Sequence, residues 1–115
     1  MQRSTILREH VGGLLAITAL PLAPGETVTV YVGGYGLDQI LANGISLSSP
    51  FMTVDPTSLA SEEFDTDYPV ISFKITVASN ALPGEYSIRL QSPSGEFAYL
   101  AGALTVDPPA TPAGF

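Results

Sequence analysis

The sequence predicts an all-β protein, an antiparallel sandwich of about seven strands without a disulfide. Three observations carry that expectation. Apolar and polar residues alternate with period two through most of the chain. Gly and Pro dipeptides punctuate the alternation at short intervals. No window keeps a 3.6-residue apolar repeat over ten residues. The 115 residues include 11 Gly and 10 Pro, together well above the ordinary ~12%. Charged residues are 13%, about half the ordinary share. Strands that fill their outward faces with Ser and Thr account for that low share.

The elements follow in order. Residues 1–13 are expected to be an N-terminal arm, and Leu14 to Ala19 the first strand of a sandwich spanning 14–107. A secretory-signal reading would take Arg3 and Arg8 as the basic end and Leu14 to Leu20 as the apolar core. Glu9 and His10 precede that core, and Gly12, Gly13 and Pro21 interrupt it, so the strand reading is preferred. In Thr27 to Val32, Val28, Val30 and Val32 share one face and Thr27, Thr29 and Tyr31 the other. Gly44 to Ser48 and Phe51 to Val54 are shorter strand candidates. In Val70 to Ala78, Ile71, Phe73, Ile75 and Val77 point inward while Ser72, Lys74 and Thr76 point out. Tyr86, Ile88 and Leu90 alternate with Ser87, Arg89 and Gln91. Ala98, Leu100, Gly102, Leu104 and Val106 share the inward parity of the last strand. Asp38 to Ala42 and Ser58 to Glu63 are each long enough for one helical turn. Turns are expected at Pro24-Gly25, Gly33-Gly34, Asn43-Gly44, Asp55-Pro56, Pro83-Gly84 and Pro93-Ser-Gly95. Residues 108–115 read as a Pro-rich tail.

Composition excludes several chemistries. The chain has no Cys and one His, His10, which removes thiolate catalysis, Cys-type metal sites and a multi-His centre. The net charge is −7, the wrong sign for nucleic acid or anionic membranes. That charge is uneven: residues 1–24 carry Arg3, Arg8 and Glu9, whereas residues 25–115 set Lys74 and Arg89 against ten acids.

Two stretches carry a family resemblance. Pro24-Gly-Glu-Thr-Val-Thr-Val-Tyr-Val-Gly-Gly-Tyr-Gly-Leu37 resembles the opening of an IPT/TIG-type immunoglobulin-like repeat, with a Gly before a Thr/Val strand and then a Gly-aromatic-Gly turn. Phe73-Lys-Ile-Thr-Val-Ala-Ser-Asn-Ala-Leu-Pro-Gly-Glu-Tyr-Ser-Ile-Arg-Leu-Gln-Ser-Pro-Ser-Gly95, followed by Leu100-Ala-Gly-Ala-Leu-Thr-Val106, is similar to the close of the bacterial version. The likeness covers roughly residues 14–107, apart from 48–70. It implies an immunoglobulin-like sandwich used as a repeat or accessory domain in secreted and cell-surface proteins, with no catalytic residues and no cofactor to carry over. Tyr86, just after the Pro83-Gly84 corner, has two readings. It is a corner tyrosine that ties its strand to the preceding loop, or a plain core aromatic with its hydroxyl at the surface.

Candidate sites are few. Glu63, Asp65 and Asp67 lie in an acidic segment, and such segments can supply oxygen ligands to calcium. No Gly falls within Asp55 to Asp67 and the spacing is not that of an EF-hand, so a solvated loop and no strong calcium site are expected. The same carboxylates could be read as a glycosidase pair, but nothing in the sequence fixes their separation. Ser58, Ser61 and Ser79 have no neighbouring base. Gly33-Gly34-Tyr35-Gly36 has no Lys and no following helix, so it reads as a turn rather than a phosphate cradle. Tyr31, Tyr35, Phe97 and Tyr99 are candidate contact residues, since aromatics on a sheet face stack on sugars or anchor proteins.

These readings lead to a non-catalytic interaction or spacer module of a secreted or surface protein, with a protein partner or adjacent domains. One alternative is a carbohydrate-binding accessory module. Another is a homo-oligomeric or filament-associated subunit that uses the N-terminal arm. With a free arm, deleting residues 1–13 should leave the melting temperature nearly unchanged.

Overall fold

The computed structural model describes residues 4–10, 13–62 and 67–108. Among these described residues ten strands form two sheets: β1 (Thr5–His10), β2 (Gly13–Ala16), β3 (Leu20–Leu22), β4 (Thr27–Gly33), β5 (Ile45–Leu47), β6 (Met52–Val54), β7 (Ala60–Glu62), β8 (Val70–Val77), β9 (Gly84–Gln91) and β10 (Phe97–Val106). One sheet runs β2-β1-β4-β8-β6, with β7 also on β8. The other runs β3-β10-β9-β5. The pairings are antiparallel except β3 with β10, which is parallel.

This is the immunoglobulin strand order. β1, β4, β8 and β6 take the A-B-E-D positions, and β10, β9 and β5 take G-F-C. The count exceeds the expected seven because three short strands are added: β2 as a hairpin return on β1, β3 alongside the end of β10, and β7 beside the start of β8.

The alternation predicted from sequence builds one core between the sheets. Val30 and Val32 of β4, Phe73, Ile75 and Val77 of β8, Ile88 and Leu90 of β9, and Leu104 and Val106 of β10 are all buried. In β10 the pairing shifts between Leu100 and Leu104, so two extra residues oppose β9 there. An even insertion preserves the faces, which keeps Leu104 and Val106 inside. Gly102 absorbs the kink at φ +64°, and its N–H donates to Ser87 Oγ at 3.0 Å.

The corner reading of Tyr86 is the one realised. Its hydroxyl donates to the carbonyl of Leu82 at 2.5 Å, and its ring packs against the core. This closes the β8–β9 connection from within.

Four expectations need correction. The N-terminal stretch is not a free arm. β1 pairs with β4 through Thr5↔Gly33, Ile6↔Val32 and Leu7↔Tyr31, and Ile6 and Leu7 are buried. Leu14 to Ala19 is not the first strand either: Gly13–Ala16 folds back on β1, and Ile17 donates its N–H to the Ile6 carbonyl. In the stretch Ser58 to Glu63, residues 58–62 are not helical, and Glu63 lies outside the described residues. Asp55 accepts from Thr57 N–H and Oγ at 3.0 and 2.7 Å, and the chain then extends into β7. Finally, Ser72 is buried, because its hydroxyl donates to Glu62 Oε1 at 2.6 Å across from β7. The region Asp38 to Ala42 holds short 3₁₀ turns at Leu37–Gln39 and Ala42–Gly44. Residues 109–115 of the tail lie outside the described residues.

Candidate functional site: the outer face of the four-stranded sheet

The four aromatic candidates do not form one site. Tyr31 lies on the other sheet, between Leu7 and Ser72 in register, and is half-buried. Tyr35 sits in the turn after β4, about half exposed, with its ring edge-on to Tyr68 at 6.4 Å. That turn needs its glycines. Gly36 has φ +85°, and a Cβ at Gly33 would run into the ring of Tyr68. No phosphate cradle is needed to explain them.

Phe97 and Tyr99 do belong together. They sit two apart on β10, so both side chains leave the same face of the sheet. They are 56% and 58% exposed, although their inward neighbours Ala98 and Leu100 are buried. Tyr99 pairs directly with Arg89 of β9, and Phe97 with Gln91. Ser92 N–H donates to Glu96 O at the hairpin end. Alternation along the ladder then makes Ala98↔Leu90 and Leu100↔Ile88 the hydrogen-bonded pairs, and Tyr99↔Arg89 and Phe97↔Gln91 the close, non-hydrogen-bonded ones. Side chains in such pairs are nearest each other. The guanidinium carbon of Arg89 lies 5.2 Å from the Phe97 ring centroid, inside cation–π range. On the far side of Arg89 stands Ser46 of β5. The result is a small platform of Phe97, Tyr99, Arg89, Gln91 and Ser46.

The edge of β10 beside this platform is open. β3 pairs only with Leu104 to Val106, and the same alternation directs the backbone N–H and C=O of Phe97 and Tyr99 away from β9. Among the described residues no strand takes them up. A groove of about 570 Å³ runs along that edge, lined by Ser4, Ile6, Ile17, Tyr99 and Leu100 among others.

Glu63 and Asp65 lie outside the described residues, and Asp67 is exposed. Asp55 is tied into its own turn, and the Thr57 hydroxyl and N–H hold its carboxyl below the usual carboxylate value. Among the described residues no group of three or more His, Asp or Glu side chains could hold a metal. The Ser58 hydroxyl is engaged with the Asp55 carbonyl at 2.6 Å and with the Lys74 N–H at 2.8 Å. Among the described residues no helix is long and apolar enough to cross a membrane.

Sequence reasoning found Phe97 and Tyr99 by parity. It placed Arg89 on the outward parity of its strand but missed its part in the platform. Only the pairing register brings Arg89 opposite Tyr99, and one strand does not carry that information.

No protein-family model and no curated protein matches the chain. Among solved structures it is similar to the Bacteroides ovatus mixed-linkage glucan utilization locus SGBP-B, determined in complex with a mixed-linkage heptasaccharide. The identity is 23% and the TM-score 0.43, over 75% of this chain and 19% of that one. The matched region is thus about a fifth of that protein's length.

Proposed function

We propose that this chain is a non-catalytic recognition module, and that the outer face of the β3-β10-β9-β5 sheet is its contact surface. The observation that carries the reading is the pair Phe97 and Tyr99, each more than half exposed and side by side on one strand. Exposed aromatic side chains cost free energy in water and regain it on contact. A rigid sheet holds their spacing with little ordering left to lose on binding. The IPT/TIG resemblance supports a setting among other domains of a secreted or cell-surface protein, where the sandwich also fixes distance between its neighbours.

Sugar rings are the ligand class that this face suits best. The exposed large apolar side chains of the platform are two aromatics at the spacing of alternate strand residues. Beside residues 97–101 three strands, β10, β9 and β5, at about 4.8 Å give a width of roughly 10 Å, and those residues a length near 16 Å. That is a fraction of the ~800 Å² per partner of a standard protein interface. The filament-subunit reading loses its free arm, because β1 is built into its own sheet.

The test is binding to an array of immobilised neutral and acidic glycans by the full chain and by the Phe97→Ala/Tyr99→Ala double variant. Both sites are exposed, so the variant should keep its melting temperature. Binding by the parent that the double variant loses supports the reading. Equal binding by both, or none by the parent, contradicts it.

A further inference from the structure

Resting on that reading, we infer that the face recognises a saccharide carrying carboxylate groups, with Arg89 as the anion-binding residue. The four strands of this sheet contain two charged residues, Glu85 and Arg89. They lie four residues apart on β9, about 13 Å along an extended strand. The positions around Arg89 are otherwise uncharged: Tyr99 and Ser46 directly opposite, Ser87 and Gln91 two along, Phe97 and Ser48 on the diagonals. Arg89 is thus the one cation on the strands of this sheet, on a partly aromatic platform flanked at the hairpin end by Glu96.

Geometry adds the second part. The guanidinium carbon of Arg89 lies over the Phe97 ring, a cation–π contact that holds the group near the sheet surface. An arginine held this way keeps N–H groups at its rim, where a carboxylate can engage two in parallel. Tyr99, directly opposite, offers a ring face within the reach of one sugar unit. A ligand lying across β10 and β9 can therefore stack one ring on Tyr99 while a carboxylate meets Arg89. A neutral sugar would use the stacking surface and bring no carboxylate to the guanidinium. An acidic peptide would satisfy the cation but make poor use of the flat aromatic surface.

The experiment is a calorimetric titration of the full chain with three probes: an oligogalacturonate, the same oligosaccharide with its carboxyls reduced to alcohols, and an oligoglutamate peptide. The variants are Arg89→Gln, Arg89→Lys and Phe97→Ala/Tyr99→Ala. The inference expects the oligogalacturonate to bind tightest and to weaken as salt rises. Arg89→Gln should weaken it roughly tenfold or more, the scale of a hydrogen bond to a charged group. Arg89→Lys should not restore it, because an ammonium lacks the planar fork. If the carboxyl-reduced probe binds equally well and only the aromatic double variant loses it, the anion inference fails while the stacking face stands. If oligoglutamate binds as tightly as the acidic saccharide, the ligand is a protein carboxylate and the inference fails. If no saccharide binds, the face reading fails with it.

Discussion

Replacing Ile6 by Ala distinguishes an N-terminal strand from a free arm. Ile6 is 3% exposed, sits opposite Val32, and belongs to the core cluster between the sheets. Truncating it removes three buried carbons and leaves a hole that Val30, Val32 and Leu100 can fill only in part. Buried Ile→Ala changes cost about 2–5 kcal/mol, against a total of ~5–15 kcal/mol for a domain of this kind. At about 4 °C per kcal/mol for this size, the melting temperature should fall by roughly 8–20 °C. The control is Arg8→Ala, two residues on and exposed, where surface substitution changes stability by no more than about 0.5 kcal/mol. Thermal unfolding followed by circular dichroism reads both. An Ile6→Ala melting point within ~2 °C of the parent, the scale of a surface change, would mean that β1 does not pack as described. Deleting residues 1–13 should likewise destabilise the domain, the opposite of what a free arm predicts.

Further outcomes follow from the same structure. Tyr86→Phe removes the hydroxyl that meets the Leu82 carbonyl and should cost about 1 kcal/mol in urea denaturation; an unchanged midpoint would show that the corner bond contributes nothing. Gly44→Ala would drive a methyl into the Gln91 carbonyl. It should destabilise the β5 edge by roughly 1–3 kcal/mol, and full stability in denaturant melts would contradict that contact. Thr57→Val should raise the Asp55 carboxyl pKa, measured by NMR titration, because the Thr57 hydroxyl is the main cause of its lowering. A depressed carboxylate stabilises the fold above its unfolded pKa and is lost as pH falls through the folded one. The parent should therefore lose this contribution on acidification below the ordinary Asp range, and Thr57→Val should show less of that loss. No change in the Asp55 titration would contradict the assignment.

How far the fold was legible depended on whether a strand has one dry face. Thr27 to Val32 and Val70 to Val77 alternate because one side meets the core, and their inward residues were read correctly. β1 was hidden because Ile6 and Leu7 are adjacent and both buried. They point to opposite faces, and the outer face is covered here too: Tyr68 lies over Gly33 beside Leu7. A strand dry on both sides loses the period-two signal. Ser72 failed for a related reason, since β7 and Glu62 come from a segment with no apolar pattern of its own. On the site, parity exposed Phe97 and Tyr99. The partnership with Arg89 is a product of register between β9 and β10, a non-local property. Tyr86 was legible as a corner candidate because its meaning is local, a tyrosine three residues after a proline at a turn.

Ligands are expected to meet the sheet face around Phe97, Tyr99 and Arg89. The most direct measurement is amide chemical-shift mapping of the ¹⁵N-labelled full chain, titrated with the best-binding oligosaccharide from the array. Saturable shifts should concentrate at Phe97, Tyr99, Arg89, Gln91 and Ser46, and leave Tyr35, Tyr31 and the Asp55 turn unmoved. Shifts centred on the Tyr35 turn or the opposite sheet, with β9 and β10 silent, would contradict the claim.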